Sequence, residues 1–306
     1  MKKTQPTPRR ESGKPLEIYL REIAKDVDAA LNGLLPKASV KPSTIHRAMR
    51  YSLFAGGKRM RPALCIAAAE ACGGSRDRAL PAACAVECVH TYSLIHDDLP
   101  CMDDDDLRRG RPTSHKVFGE AIAVLAGDAL LTAAFEILAS ISEPRRYTLR
   151  DFLAGLASAA GSRRLIAGQV ADLEGEGKRS SRRELRYIHE CKTAAMIVAS
   201  LKLGAMAADA TPAQLGALAG FGYHLGLAFQ VIDDILDITQ TSERLGKSAG
   251  KDVAAQKTTY PALIGLDASR REARRLTARA HSALEPFGIR AARLREIADH
   301  LLAREY

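Results

Sequence analysis

The chain has 306 residues, enough for one large core or two small ones, and its 46% apolar and 26% charged residues are those of an ordinary globular protein. The net charge of +9 invites a nucleic-acid reading, yet Lys2, Lys3, Arg9, Arg10 and Lys14 against Glu11 place +4 of it in the first 14 residues. With no RNA-binding aromatic motif, zinc finger or base-reading basic helix, no nucleic-acid partner is expected.

Residues 1–14 read as a flexible, Pro-containing basic tail, and 15–306 as a single helical domain. Aromatic residues are scarce and Trp is absent, which disfavours strands. Apolar spacing predicts helices over 16–35, ending at Pro36, over 44–54, closed by Gly56-Gly57, and over 62–72, closed by Gly73-Gly74. Further helices are expected over 78–99, 118–140, 149–174, 182–208, 212–238, 260–284 and 291–304. Thr211 and Pro212 form a natural helix start. No strand, hairpin or repeat is expected, so the fold class is all-α, a bundle of about ten helices. The uncharged stretch 210–232 could suggest a membrane span, but four glycines, Gln230 and the following Asp233-Asp234 point to a buried helix, and the chain is expected not to span a membrane. The six cysteines form no Cys-x-x-Cys pair, and no apolar leader with a small-residue cleavage site is seen; reduced thiols in a cytoplasmic protein are the expectation. Cys84, Cys88 and His90 read as core residues on one helix.

Two acidic clusters carry the chemistry: Asp97-Asp98-Leu99-Pro100-Cys101-Met102-Asp103-Asp104-Asp105-Asp106 and Asp233-Asp234-Ile235-Leu236-Asp237. Each closes a strongly apolar helix, where a solvated acidic face would not be placed. Asp233 and Asp237 are four apart, hence on one helical face, with Gln230 on the same stripe. Clustered carboxylates repel one another without a cation, and hard oxygen donors suit Mg²⁺, which keeps positions for phosphate oxygens and water. In the first cluster Asp97 and Asp103 would lie about 120° apart on a straight helix, which favours Asp104, but Pro100 disturbs the turn and the spacing leaves the choice open.

Basic groups adjoin both clusters. Gly56-Gly57-Lys58-Arg59-Met60-Arg61-Pro62 is a turn with three cations; Arg108, Arg109 and Arg111 follow the first cluster, and Lys247, Lys251 and Lys257 the second. Arginine grips phosphate bidentately and lysine acts as a point charge, so the pairing suits a diphosphate with metal.

These motifs, HTYSLIHDDLPCMDDDDLRRG at 90–110, GGKRMRP at 56–62 and FQVIDDILD at 229–237, resemble the trans-isoprenyl diphosphate synthases, most closely the bacterial farnesyl diphosphate synthases, over roughly residues 45–265. The resemblance implies an isoprenoid-synthase-type bundle around a central apolar cavity, a homodimer, and three Mg²⁺ ions, for which Mn²⁺ can substitute. It implies Asp97, Asp98 and Asp103 as metal ligands in the first cluster and Asp233 with Asp237 in the second. It implies Gly57, Lys58, Arg61, His90 and Arg109 at the isopentenyl diphosphate site, and Arg108, Lys192, Thr193, Gln230, Lys247 and Lys257 around the allylic diphosphate. Taken alone, Lys192 would read as a surface lysine. His90 has independent support, lying seven residues before Asp97 on one stripe.

The reaction implied is ionisation of an allylic diphosphate, assisted by Mg²⁺ and cations that include Lys192 and Lys247, then attack by isopentenyl diphosphate on the allylic cation and proton loss. Tyr92, five residues before Asp97 and beside Ser93, stands where the family commonly blocks chain elongation, so farnesyl diphosphate is the expected product and geranylgeranyl diphosphate the alternative. A class I terpene cyclase fits less well, since its second metal motif differs and it needs no GGKRMRP site. A silent, tuning subunit fits less well because both acidic clusters are intact.

Overall fold

The structure is a computed structural model that describes residues 15–178, 180–239 and 258–303. Helix α1, Leu16–Leu34, sends Tyr19, Ile23, Val27 and Leu31 to the interior at every fourth position. After α2, Ser43–Leu53, and α3, Met60–Ala71, comes α4, Arg76–Asp97, which is buried on nearly all sides from Ala79 to Ile95. It packs against α3, α6 (Glu120–Ala139) and α10 (Ala195–Ala207), and α11 (Pro212–Thr239) closes over α10. Small residues such as Ala63, Ala67, Ala82, Ala85 and Ala205 bring these helices close, and one continuous core joins them.

The remaining helices are α5, Ser114–Phe118; α7, Leu149–Ala160; α8, Leu165–Gly175; α9, Arg182–His189; α12, Tyr260–Ile264; α13, Leu266–Ala283; and α14, Ala292–Leu302. Reciprocal side-chain caps start α7 (Thr148 with Asp151) and α9 (Ser181 with Glu184), satisfying amides that have no partner within the helix.

The all-α class holds among the described residues, with more segments than the ten expected. The helix expected over 149–174 is two, because Gly161 takes an extended backbone between α7 and α8. That over 260–284 breaks at Gly265, whose φ of 80° no continuing helix accepts. That over 182–208 contains a wide turn, Glu190–Ala194, with five-residue spacing. The expectation of no hairpin is corrected: β1, Leu107–Arg108, pairs with β2, Arg111–Pro112. Its turn residues Arg109 and Gly110 both have positive φ, the twist that tight hairpins favour.

By length and composition α6 and α11 are each apolar enough to cross a membrane. Both are built into the core instead: Leu218, Phe221, Leu225, Ala228, Val231 and Ile235 of α11 are buried, and its last turns carry three aspartates.

Candidate active site

Helix α4 stops at Asp97, and the chain then coils back on itself. The Asp103 N–H donates to the Asp97 carbonyl at 2.8 Å, and the Asp104 N–H to that of Leu99 at 3.1 Å. Pro100 makes this possible, having no amide to continue the helix. Asp104 sits at φ 46°, and it is the Asp103 charge that presses on Asp97. The straight-helix argument for Asp104 therefore fails, because the helix it assumed has ended.

Burial pushes the Asp97 carboxyl up to about 6; Asp103 and Asp98 add repulsion while Lys192 and Arg108 oppose it. Gln169 of α8 donates to Asp97 Oδ1. Asp98 is buried, and its Oδ1 accepts from Arg108 Nε at 2.9 Å. Burial still raises its carboxyl. Asp98 thus holds Arg108 at the loop, where Arg108 also reaches Asp105 at 3.3 Å.

On α11 Asp233 and Asp237 stand one turn apart, with Asp237 and Asp234 buried. Asp234 faces a different set of partners. Its Oδ2 accepts the Tyr260 N–H at 2.8 Å, and its Oδ1 lies 3.8 Å from His189 Nε2. Burial drives the His189 imidazole down to about 4, and its ring stacks on Tyr260 at 5.5 Å.

The wide turn Glu190–Ala194 presents Lys192, whose Nζ donates to Asp172 Oδ2 at 2.7 Å, while Thr193 Oγ1 donates to Gln230 Oε1. Two glycines make room for the turn. A Cβ on Gly168 would strike the Lys192 backbone, and one on Gly226 would come within 2.6 Å of the Ala194 Cα. Lys192 is part-buried against Asp172, with a side chain 29% exposed, and is not the plain surface lysine that the sequence alone suggests. Helix α8, through Gln169 and Asp172, links the first cluster to Lys192. Sequence reasoning passed over these two residues; their signal was a polar pair three apart in an otherwise apolar segment.

Beyond α4 opens a cleft with about 720 Å³ of empty space, part of it open to solvent. Lys58, Arg61, His90, Arg109 and Thr193 line it, with Met60, Leu64, Ile197, Phe229 and Leu301 as apolar wall. Arg61 lies 3.4 Å from His90 Nε2, and Arg109 donates to the Gly56 carbonyl. Gly57 leaves space for that contact, since a Cβ there would sit 2.5 Å from the Arg109 guanidinium. Burial and neighbouring arginines lower Arg61 and Arg109 and hold His90 well below the usual imidazole range. His90 is thus neutral at neutral pH and faces a crowd of cations.

Tyr92 is buried with its ring edge-on to His96 at 5.7 Å, and burial with the Asp97 charge pushes its hydroxyl up to about 12. Ser93 turns its hydroxyl to the His90 carbonyl at 2.9 Å. Lys247 and Lys257, like the tail over 1–14, lie outside the described residues.

Among the described residues no three acidic, histidine or cysteine side chains converge on one point. The two clusters offer oxygen donors in ones and twos, which fits Mg²⁺ completed by phosphate oxygens and water better than a protein cage. The raised Asp97 carboxyl supports the fit: it marks a carboxylate that a cation would relieve.

The family model for polyprenyl synthetase matches residues 42–285. The chain is 50% identical over 293 residues to a chloroplastic geranylgeranyl pyrophosphate synthase of Capsicum annuum, covering 94% of this chain and 79% of that one. It is 51% identical over 277 residues to the large subunit 1 of a heterodimeric geranylgeranyl pyrophosphate synthase of Arabidopsis thaliana, covering 88% and 74%. Among solved structures, an FPP/GFPP synthase from Zymomonas mobilis superposes with a TM-score of 0.82 at 36% identity, covering 94% and 98% of the two chains. A geranyltransferase from Legionella pneumophila gives 0.84 at 33% identity, covering 95% and 97%.

Proposed function

The chain belongs to the polyprenyl synthetase family, and on that premise we propose that it condenses isopentenyl diphosphate with an allylic diphosphate, head to tail, using both acidic clusters. The observation that carries this reading is the Asp97 carboxyl, raised to about 6 and flanked by Asp103, Gln169 and Lys192, at the end of the α4 helix whose His90 lines a cleft of cations.

Asp97 and Asp103 on one side, with Asp233 and Asp237 on the other, would hold Mg²⁺, which neutralises the allylic diphosphate as a leaving group. Lys192, fixed by Asp172, adds a positive charge where the carbon–oxygen bond breaks and negative charge grows on the departing diphosphate. Thr193 and Gln230 position that diphosphate. Lys58, Arg61 and Arg109 bind the diphosphate of the second substrate, so that its double bond meets the allylic cation. Neutral His90 sits between the groups without adding repulsion. The apolar wall keeps water from the cation, and the proton lost after addition goes to the departing diphosphate. Three Mg²⁺ ions would complete the allylic side, with Lys247 and Lys257 adding positive charge to that diphosphate.

For the product we favour geranylgeranyl diphosphate, supported by relatives of that activity at about half identity over most of the chain. A farnesyl product is the second reading, favoured by the buried Tyr92 ring beneath Asp97. We also propose a homodimer. The apolar residues left exposed on α6 (Val124, Leu125) and α8 (Ile166, Val170, Leu173) support it, and sedimentation at varied concentration tests it. Incubating the purified protein with isopentenyl and dimethylallyl diphosphates, with and without EDTA, and sizing the dephosphorylated alcohols tests activity and product together. No condensation with Mg²⁺ present would overturn the reading.

A further inference from the structure

Three cations of the basic turn 56–62 line the cleft, and one of them, Arg59, is already committed to partners within the protein. Arg59 takes the left-handed conformation (φ 47°) that a side-chain-bearing residue rarely adopts, and its side chain is 1% exposed. It points inward, to Glu87 Oε1 at 2.7 Å, to Asp28 Oδ1 at 2.9 Å and to the Leu53 carbonyl at 2.6 Å. One guanidinium thus ties the turn to α1, to the end of α2 and to α4. Glu87 is itself 2% exposed, on α4 one turn before His90, and it lines the cleft. Its charge acts beyond the pair: it supports the protonated forms of Arg61, which burial and Arg109 weaken, and of Arg109, which burial, Arg59 and Arg108 weaken. A buried carboxylate is costly unless it is paired, and Arg59 supplies that pairing here.

We infer that Glu87 and Arg59 are positioning residues for the isopentenyl-side diphosphate, a role that rests on the function proposed above. Arg59 fixes the strained turn so that Lys58 and Arg61 face the cleft, and Glu87 is the internal counter-ion that holds the cations together before substrate arrives. Neither residue touches the substrate. The pair determines affinity on one side of the active site, because its contacts run through the turn and α4 and not through α8, α11 or Lys192.

The test reads binding without turnover: calorimetry of isopentenyl diphosphate with the metal-free, full-length protein, for wild type, Glu87→Gln, Arg59→Met and the double variant Arg59→Met/Glu87→Leu. Each variant is expected to bind about tenfold more weakly or worse. Replacing a buried ion pair with apolar side chains is often neutral for folding, so the double variant should melt near wild type while keeping the affinity loss. In steady-state assays KM for isopentenyl diphosphate should rise while KM for the allylic partner stays put. A double variant with wild-type affinity, or equal rises in both KM values, would overturn the proposal. A wild type that makes no prenyl product refutes the function proposed above, while the calorimetry still decides the role of the pair.

Discussion

Replacing Asp97 with asparagine should abolish activity and at the same time stabilise the metal-free protein. In the fold, burial and the Asp103 charge push the Asp97 carboxyl from an ordinary 3.8 to about 6. Between these values the native state keeps a proton that the unfolded chain has lost, so stability falls as pH rises; above about 6 the loss is complete. At about 1.4 kcal/mol per decade the displacement amounts to about 3 kcal/mol. The asparagine would retain an oxygen to accept from Gln169, without the charge. The variant should therefore match wild type near pH 4 and exceed it by as much as about 3 kcal/mol at pH 7.5. Urea denaturation of both proteins in EDTA, followed by circular dichroism across that range, gives the difference directly. Adding Mg²⁺ with a diphosphate should narrow the gap, since the variant lacks one of the carboxylates that would hold it and binds it more weakly. A variant no more stable than wild type at pH 7.5 would refute the argument that Asp97 is held under electrostatic strain awaiting a cation.

Four other outcomes are expected. Asp233→Ala, or EDTA added to wild type, should lower turnover by about 10²-fold or more with the helical signal unchanged; activity in EDTA close to normal would count against the metal-assisted step. Arg61→Ala should raise KM for isopentenyl diphosphate and Lys192→Ala that for the allylic substrate, and equal effects on both substrates would contradict the two-sided site. Tyr92→Ala should lengthen the product by at least one five-carbon unit and destabilise by about 3 kcal/mol; an unchanged chromatogram would place the floor of the channel elsewhere. Gly226→Ala should force the Glu190–Ala194 turn aside, costing about 1–3 kcal/mol and weakening allylic binding through Lys192; normal stability and kinetics would mean the turn has slack.

The helical class, the two carboxylate clusters and their neighbouring cations were legible in the chain because each depends on short-range spacing. A spacing of four from Asp233 to Asp237 puts both on one face of any helix, and Tyr19, Ile23, Val27 and Leu31 announce a buried stripe. Periodicity said nothing of Gln169 and Asp172, because their roles come from Asp97, 72 residues away, and Lys192, 20 away. Spacing also left Asp103 and Asp104 open, since the angular arithmetic that favours Asp104 holds only while the helix lasts, and here α4 ends at Asp97. Arg59 and Arg61 look alike in sequence, two cations in one turn. The partners Glu87, Asp28 and the Leu53 carbonyl, drawn from three other helices, tie up the Arg59 guanidinium within the protein, whereas Arg61 reaches His90 in the cleft. Local spacing determined which residues share a face. Long-range packing decided which charges are buried, and therefore which ones remain for the chemistry.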